Sequence, residues 1–399
     1  MKNILILIGV AAVITGCKAT NRTSGDNGDI ITTFNNTTGL QISAISGQAT
    51  SRDLLIGKFT NDIYPDVVEL TDQGAFFIKN NSGASWTVPA NSTLAIAATS
   101  AQAFTHGIAR DLDGDGILDL VLYKTGEMIM LINDGNGSFS ETTNTTSTLG
   151  TMISMAFAPK AADAKTGFIM GAISGGNHFV QEVTSASAFG TYTTNAFLGG
   201  TIINPIKVVA ADMNHDGYTD FVMVPSAQSE TVQIFKNTTD TSIVMDTQFS
   251  RVPNTTVSDA TTSVLTRTNY PDLILTTSAG VELYKNTTTA ALDFEQSTVL
   301  KPSTLSAVAD TFVFADFTMD GLKDFFFTRS SAKSLFYTQT SSLVFSDITT
   351  TAFGATTSLL TAGPVRAYEA DIDGNGVTDL LELYATGQIV VHMNQAEPN

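Results

Sequence analysis

Residues 111–123 read DLDGDGILDLVLY, so that four aspartates and two glycines directly precede an apolar segment. Carboxylates this close together repel one another, which indicates that a cation sits among them. Calcium prefers about six to eight oxygen ligands, including carboxylates and a backbone carbonyl, here that of Ile117 at position 7 of the loop. Gly116 at position 6 permits the sharp bend, so the stretch predicts a calcium loop followed by a strand. The aspartates at positions 1, 3, 5 and 9 are Asp111, Asp113, Asp115 and Asp119.

The same loop recurs along the chain. Three further copies read ADMNHDGYTDFVMV, ADFTMDGLKDFFF and ADIDGNGVTDLLEL, with Asp212, Asp316 and Asp371 as their first aspartates. Three degraded copies start at Lys58, Pro159 and Val264. The loop starts therefore fall at residues 58, 111, 159, 212, 264, 316 and 371, at intervals of 48 to 55 residues. A period of this length over the whole chain is typical of a repeat architecture.

Each period has the same internal order of short strands. An apolar strand follows the loop, as in LVLY and FVMV, and a turn leads to a second strand, as in EMIMLIN, TVQIFKN, VELYKN and QIVVHMN. A polar turn, a segment with an aromatic residue and another apolar stretch complete the period. Four short strands in each period of 48 to 55 residues indicate one blade of a β-propeller. The aromatic residues are Trp86, Phe139, Phe189, Phe249, Phe294 and Phe345.

The two ends of the repeat predict how the ring closes. The last period stops after QIVVHMNQAEPN and lacks its aromatic segment, whereas residues 29–42 carry a spare one with Phe34 in the aromatic position. If the N-terminal strand completes the last blade, two open sheet edges disappear. We therefore predict an all-β chain in which residues 29–399 form a seven-bladed β-propeller closed by the N-terminal strand. An open row of blades is the alternative.

Residues 1–17, MKNILILIGVAAVITGC, predict an export signal. Lys2 precedes an apolar run that is short for a permanent transmembrane anchor. The small residues before Cys17 resemble the lipobox of bacterial lipoproteins, in which the cysteine carries lipid. A plain secretory signal is the alternative. By the same resemblance, Lys18 implies an outer-membrane or cell-surface location. Residues 18–28 would then be a short flexible tether to the membrane.

The composition limits the classes of partner and fold. Cys17 is the only cysteine, so no intramolecular disulfide can form. The formal net charge is −18, and cleavage before Cys17 removes one lysine and no acid, which makes it −19. Such a surface repels nucleic acid and anionic lipid headgroups and suits cations. Hydrophobic residues at 43% still permit a packed core.

The loops, their spacing and the strands after them resemble FG-GAP or VCBS repeats, which build the propeller of integrin α subunits. The resemblance covers essentially the whole mature chain and implies calcium at the matching positions, in about four sites. Magnesium fits less well, because it demands strict octahedral geometry and fewer protein ligands. The alternative is that these Asp, Asn and Gly residues only form turns. Beyond the first loop, the implied ligands are Asp212, Asn214, Asp216, the Tyr218 carbonyl and Asp220; Asp316, Thr318, Asp320, the Leu322 carbonyl and Asp324; and Asp371, Asp373, Asn375, the Val377 carbonyl and Asp379.

The degraded loops lack the ligand set. The copies that start at Pro159 and Val264 are predicted to be free of metal. The copy KFTNDIYPD keeps Asp62 and Asp66 at positions 5 and 9 but has Lys58 in place of the first aspartate. We expect the Lys58 ammonium to stand in for the calcium ion of that blade.

No recognisable catalytic constellation is present. The sequence has no HExxH, GxSxG or GxxxxGK[ST] motif and no cysteine pair. His215 falls at position 4 of a calcium loop and is expected to point outward, and the other three histidines, His106, His178 and His392, lie in different blades. We therefore do not predict an enzyme.

Three functions are compatible with these observations. The first is a membrane-anchored module that binds a protein or glycan with one face of the propeller, as propellers of this family often do. The second is a scaffold or assembly factor within the cell envelope. The third, which the sequence favours least, is a polysaccharide-acting hydrolase or lyase. Ligand-binding residues are not predicted, because recognition in this family lies in variable loops without a shared motif.

Overall fold

The computed structural model describes most of the chain from residue 34 onward. The predicted export signal, the lipidation site Cys17 and the tether at 18–28 lie outside the described residues. Within the described residues, no helix has both the length and the apolar character needed to cross a membrane. The described ranges are 34–36, 50–83, 85–89, 103–146, 150–194, 204–246, 253, 255–265, 270–278, 280–287, 294–300, 311–329, 332–341, 344–353 and 363–396.

The described strands form seven antiparallel sheets of four strands each, and these sheets are the blades of a β-propeller. Blade 1 consists of β2 (Ser51–Gly57), β3 (Asp66–Thr71), β4 (Gly74–Asn80) and β5 (Trp86–Thr87). Blade 2 consists of β6 (His106–Arg110), β7 (Asp119–Lys124), β8 (Glu127–Asn133) and β9 (Phe139–Thr146). Blade 3 consists of β10 (Met152–Pro159), β11 (Gly167–Ile173), β12 (Asn177–Ser185) and β13 (Ala188–Thr194).

The remaining blades repeat this order. Blade 4 consists of β14 (Pro205–Ala211), β15 (Asp220–Pro225), β16 (Gln233–Asn237) and β17 (Ile243–Met245). Blade 5 consists of β18 (Val257–Ser263), β19 (Asp272–Thr277), β20 (Gly280–Asn286) and β21 (Phe294–Leu300). Blade 6 consists of β22 (Phe312–Ala315), β23 (Asp324–Phe327), β24 (Leu335–Ser341) and β25 (Val344–Asp347), and a short helix α1 (Thr349–Phe353) follows it. Blade 7 consists of β26 (Pro364–Ala370), β27 (Asp379–Tyr384), β28 (Ile389–Asn394) and the N-terminal strand β1 (Phe34–Asn36).

The N-terminal strand closes the ring as predicted. β1 pairs antiparallel with β28, with Phe34 opposite Asn394. Phe34 is 3% exposed and stacks on Phe353 of α1, with ring centroids 4.7 Å apart. β28 thus holds β1 by backbone pairing, and α1 holds it by aromatic packing against Phe34. The predicted all-β, seven-bladed, closed propeller is confirmed.

The core lies between adjacent blades. The second strand of a blade is covered on both faces, so its apolar residues run almost continuously rather than alternating with polar ones. In one cluster, Leu55, Val68 and Phe77 of blade 1 pack against Leu120 and Leu122 of blade 2. The triplet Phe325–Phe327 is buried in the same way, as inter-blade core. Each blade is therefore stabilised mainly by its neighbours.

One aromatic position differs from the prediction. The predicted aromatic residues of the outer strands pair with residues at or near the end of the preceding strand, as Phe139 pairs with Asn133 in blade 2 and Phe345 with Gln339 in blade 6. In blade 4, Ile243 pairs with Asn237, so Ile243 and not Phe249 holds this place. Phe249 itself lies outside the described residues. The buried aliphatic side chain of Ile243 fills this position in place of an aromatic ring. A pattern of aromatic residues therefore does not reveal it.

The first strands of the blades surround the central channel. β10 contacts β6 and β14, and β2 contacts β6 and β26. These strands run in one direction, and the acidic loops follow their C-terminal ends. The loops therefore cluster at one face of the propeller, and the starts of the first strands define the opposite face.

Candidate metal centres

The aspartate at position 9 of the loop, present in every blade except blade 3, holds the blade together. Asp119 is fully buried, and both of its carboxylate oxygens accept backbone hydrogen bonds. Oδ2 accepts from the Leu112 N–H at 2.7 Å and Oδ1 from the Asn133 N–H at 2.9 Å. This links the loop to the end of the third strand. The same pair of bonds is made by Asp220, Asp272, Asp324 and Asp379.

An asparagine at the end of the third strand then joins one blade to the previous one. The Asn133 side-chain amide donates to the Phe59 carbonyl of blade 1 at 2.8 Å and to the Leu118 carbonyl of its own blade at 3.0 Å. The loop motif does not reveal these asparagines, although the strings LIN, FKN, YKN and HMN all end on one. The equivalent inter-blade bonds run from Asn80 to Ile372, from Asn286 to Met213 and from Asn394 to Phe317.

In blade 2 the loop gathers its carboxylates at one point. One carboxylate oxygen from each of Asp111, Asp113 and Asp115 lies within 4.8 Å of the others. Backbone N–H groups of the loop hold these side chains, including Gly116 N–H to Asp111 Oδ2 at 3.1 Å and Ile117 N–H to Asp115 Oδ1 at 2.8 Å. Such spacing lets all three oxygens contact one cation of calcium size.

The backbone of the loop requires left-handed residues at positions 4 and 6. In the four acidic loops position 6 is glycine, and a Cβ there would meet no atom within 4 Å, so the constraint is conformational rather than steric. Position 4 adopts the same conformation even where it is not glycine, with φ of 59° at His215 and 58° at Met319. His215 and Met319 therefore adopt the left-handed backbone conformation despite its energetic cost for residues other than glycine. The left-handed glycines are Gly114, Gly116, Gly217, Gly321, Gly374 and Gly376.

The loop of blade 7 forms a second acidic cluster. Oxygens of Asp371, Asp373 and Asp379 lie within 4.8 Å of one another. Gly376 N–H donates to Asp371 Oδ2 at 2.8 Å and Val377 N–H to Asn375 Oδ1 at 2.7 Å, which repeats the bonding of blade 2. Here the position 9 carboxylate belongs to the cluster.

The loops of blades 4 and 6 keep the frame but arrange their side chains differently. In blade 4, Asn214 Nδ2 donates to Asp216 Oδ2 at 2.9 Å, and Asp212 accepts the Gly217 N–H at 2.9 Å. In blade 6, Thr318 is 4% exposed and its hydroxyl donates to Asp324 Oδ2 at 3.2 Å. Among the described residues, triads of acidic oxygens within 4.8 Å occur in blades 2 and 7.

The remaining predicted ligands follow the same frame. Position 7 donates its N–H to the side chain at position 5 in blades 4 and 6, from Tyr218 to Asp216 at 2.9 Å and from Leu322 to Asp320 at 2.8 Å. In blade 6, Asp316 Oδ2 accepts the Gly321 N–H at 2.9 Å. The predicted position 7 residues thus lie where the loop turns back toward the strand.

The electrostatics of the loops favour a bound cation. Burial is the main cause that raises the pKa of Asp119 and Asp324 to about 6 and that of Asp220 and Asp379 to about 7. Nearby loop carboxylates, such as Asp113 and Asp115 beside Asp119, add to the effect. A divalent cation at positions 1, 3 and 5 would offset both contributions, because it stabilises the charged form. The residues present therefore fit a calcium ion.

The degraded loop of blade 1 uses a different lysine from the predicted one. Lys58 is exposed, whereas Lys79 Nζ lies 3.3 Å from Asp62 Oδ2. The expectation for Lys58 is therefore wrong. Pairing of Val67 with Ile78 brings Lys79 beside the loop, and this neighbour is not visible in the linear motif. The Thr60 hydroxyl donates to Asp66 Oδ2 at 3.0 Å, as the equivalent threonine of blade 6 does.

The degraded loop of blade 3 has no acidic frame residue, since Gly167 stands at position 9. Asp240 of blade 4 bridges the two blades instead, because its Oδ2 accepts the Ala161 N–H at 2.6 Å and its Oδ1 accepts from Asn237 Nδ2 at 3.0 Å. In the loop of blade 5, residues 266–269 lie outside the described part of the chain. The inter-blade connection thus survives where the loop itself has degenerated.

The histidines do not form a common site. His215 is exposed, as predicted, with its ring 5.6 Å from that of Tyr270. His392 Nε2 is 3.0 Å from Glu382 Oε2, and the Ser334 hydroxyl donates to the other oxygen of the same carboxylate. In this network serine and histidine both contact Glu382 rather than each other. The network joins blades 6 and 7 and lacks the serine–histidine contact that activates a nucleophile.

Comparison with known proteins agrees with the repeat and the fold. Residues 111–164, which contain the acidic loop of blade 2, match the FG-GAP-like repeat family. This match covers one repeat, and together with the seven blades it fits an FG-GAP-repeat β-propeller. No curated protein matches the chain in sequence.

Solved structures share the fold at low sequence identity. Crystal structures of BBS1N in complex with ARL6DN, soaked with mercury or lead, align at TM-scores of 0.54 and 0.58 with 10% and 8% identity. The alignments cover 89% and 90% of this chain and 96% of each solved chain. An Agrocybe aegerita lectin that recognises non-reducing terminal N-acetylglucosamine aligns at 0.47 with 15% identity, over 88% of this chain and 80% of the lectin. The BBS1N structures show similarity of fold.

Proposed function

We propose that this protein is a calcium-stabilised binding module that holds a protein partner on one face of its propeller. The observation that supports calcium most directly is the pair of acidic clusters in blades 2 and 7, each with three oxygens within 4.8 Å. Carboxylates at this spacing repel one another unless a cation lies between them. The two clusters occupy equivalent loops, which is expected of a repeated site and not of chance surface acids.

The four loops should differ in affinity, because calcium affinity rises with the charge of the ligands. Blade 2 offers four aspartates, whereas Asn214, Thr318 or Asn375 replaces one of them in the other loops. The Thr318 hydroxyl is already turned onto Asp324, so that loop has the weakest ligand set. We expect about four calcium sites, tightest in blade 2 and weakest in blade 6.

The proposal of a protein partner rests on the class of fold and on a relative. The FG-GAP-repeat propeller fold suggests a protein-binding module. BBS1N, which shares the fold, is in complex with ARL6DN. By extension we infer a non-enzymatic role at the bacterial outer membrane or cell surface, with a lipid anchor on Cys17. A glycan ligand or an envelope scaffold role would be recognised as a different outcome of the same experiment.

Calcium titration of the purified, chelator-treated full-length protein, followed by calorimetry, tests the metal sites. We expect about four calcium ions per chain, a much weaker response to magnesium, and loss of the tightest site in Asp113→Ala. Asp163→Ala is the matched control, because Asp163 occupies position 5 of the degraded loop of blade 3. Absence of calcium binding above the magnesium response would overturn the proposal.

Cross-linking in cells and a glycan panel, each in calcium and in chelator, test the partner. A protein cross-linked to the propeller only in calcium supports the binding module. Calcium-dependent retention of a glycan alone would replace the protein partner by a glycan, and no partner in either condition would contradict the proposal.

A further inference from the structure

The central channel contains a cavity at the face opposite the acidic loops. The cavity has a volume of about 410 Å³ and is lined by residues near the starts of the first strands of all seven blades. Ligand pockets in proteins usually measure about 300 to 1,000 Å³, so this cavity is large enough for a small molecule. The cavity is distant from the candidate metal ligands, because those residues lie in the loops at the other ends of these strands.

Two ion pairs stand on opposite walls of this cavity. Arg366 Nη1 of blade 7 lies 3.3 Å from Asp53 Oδ1 of blade 1, and the Tyr368 hydroxyl donates to the same oxygen at 2.6 Å. Across the ring, Lys207 Nζ of blade 4 lies 3.1 Å from Asp259 Oδ1 of blade 5. About a third of the Arg366 and Lys207 side-chain surface remains exposed, at 34% and 33%. Both walls therefore offer accessible polar groups to the cavity.

The cavity carries no net charge, in a protein whose formal charge is −18. The two cations and the two carboxylates cancel, and His106 is neutral because burial lowers its pKa to about 4. An incoming ion would be attracted to one member of either pair and repelled by the other. A hydroxyl group donates and accepts at once, so it can bond both members of a pair without separating them.

The rest of the lining suits the carbon skeleton of such a molecule. Met155 of blade 3, Ile206 of blade 4 and Phe312 of blade 6 are apolar residues of the lining. Pockets that are partly apolar and carry a few convergent polar groups are the usual sites for small ligands. A sugar ring presents C–H faces and hydroxyl edges in this combination.

We propose that the channel mouth binds a small uncharged polyhydroxylated molecule, a mono- or disaccharide, between the Asp53–Arg366 and Lys207–Asp259 pairs. The sugar hydroxyls bridge the members of each pair, and the apolar residues contact its C–H face. This site is separate from the acidic loops and does not require calcium.

The test is a panel of neutral mono- and disaccharides, with sialic acid and diglycine as charged and zwitterionic members. Binding to the purified full-length protein is measured by saturation-transfer NMR and calorimetry. We expect at least one neutral sugar to bind, and Lys207→Gln to weaken it by at least tenfold. The matched control is Lys236→Gln, because Lys236 also belongs to blade 4 and pairs with Asp246 at 2.6 Å but does not line the cavity.

The outcomes are distinct from those for calcium. Sugar binding that persists in chelator, with circular dichroism confirming the fold, supports the proposal whether or not the metal sites are real. Binding only of the charged or zwitterionic members, binding of none, or equal affinity in Lys207→Gln and wild type would each overturn it. Equal weakening by Lys236→Gln would also overturn it, because the effect would then be general destabilisation.

Discussion

The loops of blades 1 and 2 lie side by side, and they solve the same structural problem with different charges. In both, the buried aspartate at position 9 accepts the N–H of the asparagine that ends the third strand, at 2.9 Å. The loops differ at positions 1, 3 and 5. Blade 2 has three aspartates there, whereas the single aspartate of blade 1, Asp62, pairs with Lys79. In these two blades position 9 therefore belongs to the frame, and positions 1, 3 and 5 decide whether the loop gathers carboxylates.

The two kinds of loop also alternate around much of the ring. Acidic loops occur in blades 2, 4, 6 and 7 and degraded loops in blades 1, 3 and 5. Position 4 of an acidic loop meets position 7 of the degraded loop that follows, as His215 meets Tyr270 and Gly374 meets Tyr64. A degraded loop between two acidic ones increases the distance between their charges, which reduces their repulsion. The degraded loops of blades 1, 3 and 5 thus keep the acidic loops apart, except those of the adjacent blades 6 and 7.

The largest effect is expected from removal of the shared position 9 carboxylate. Asp119→Ala leaves the buried Leu112 and Asn133 N–H groups without their acceptor, which costs about 1–3 kcal/mol for each group. We expect a loss of roughly 3–5 kcal/mol in the free energy of unfolding, measured by urea denaturation in chelator. Asp66→Ala should have a loss of the same order, because the frame does not depend on metal. A much smaller effect in blade 1 would show that the two frames are not equivalent.

Calcium should stabilise the two loops differently, although removal of the position 9 aspartate should affect both alike. Asp115 and Asp62 both occupy position 5, but only Asp115 belongs to an acidic cluster. A site saturated at about 100 times its dissociation constant stabilises the fold by about 2.7 kcal/mol. We expect Asp115→Ala to lose stabilisation of this order on addition of calcium, whereas Asp62→Ala retains the full calcium response of the wild type. The measurement is the melting temperature in calcium and in chelator, and equal calcium responses of the two variants would contradict the assignment.

The pH dependence of stability should differ between calcium and chelator. Burial raises the pKa of Asp220 and Asp379 to about 7 and that of Asp66 to about 6, all above the ordinary value of 3.8. The folded protein then binds protons that the unfolded chain releases, so this stabilisation is fully present below about pH 3.8 and is lost progressively as the pH rises from there to 6 or 7. His106 opposes this trend, because its lowered pKa makes acidification unfavourable below its ordinary value of 6.5.

In chelator we therefore expect the free energy of unfolding to fall by several kcal/mol from pH 5 to pH 7.5. Calcium should reduce or reverse the fall, because it replaces protons in the acidic loops. The part that remains in calcium reports groups outside the acidic-loop ligand sets, namely Asp66, Glu369, whose pKa burial raises to about 7, and His106. Identical pH profiles in calcium and chelator would show that the metal does not reach the position 9 carboxylates.

The sequence was sufficient for the architecture because the loop repeat is local and periodic. Seven loop starts defined the blades, and the missing aromatic segment defined the closure through Phe34. What the sequence did not reveal are contacts that depend on pairing between strands or blades. The amide of Asn133 bonds a carbonyl of another blade, 74 residues away, and no linear pattern shows this. The ion pairs of the channel likewise join blades that are distant in sequence, as Asp53 and Arg366 are.

The smallest expected effect concerns the cation of the degraded loop. Lys79 and Asp62 are 38% and 32% exposed, so water and salt screen their interaction, and such pairs contribute about 0.5 kcal/mol. We expect Lys79→Met to lower the free energy of unfolding by roughly this amount at low salt and by less at high salt. Lys58→Met should leave stability unchanged at either salt concentration, because Lys58 is exposed and lies outside this pair. A larger loss in Lys58→Met than in Lys79→Met would restore Lys58 as the residue that replaces the metal, and would make the degraded loop a closer mimic of its neighbour than its contacts indicate.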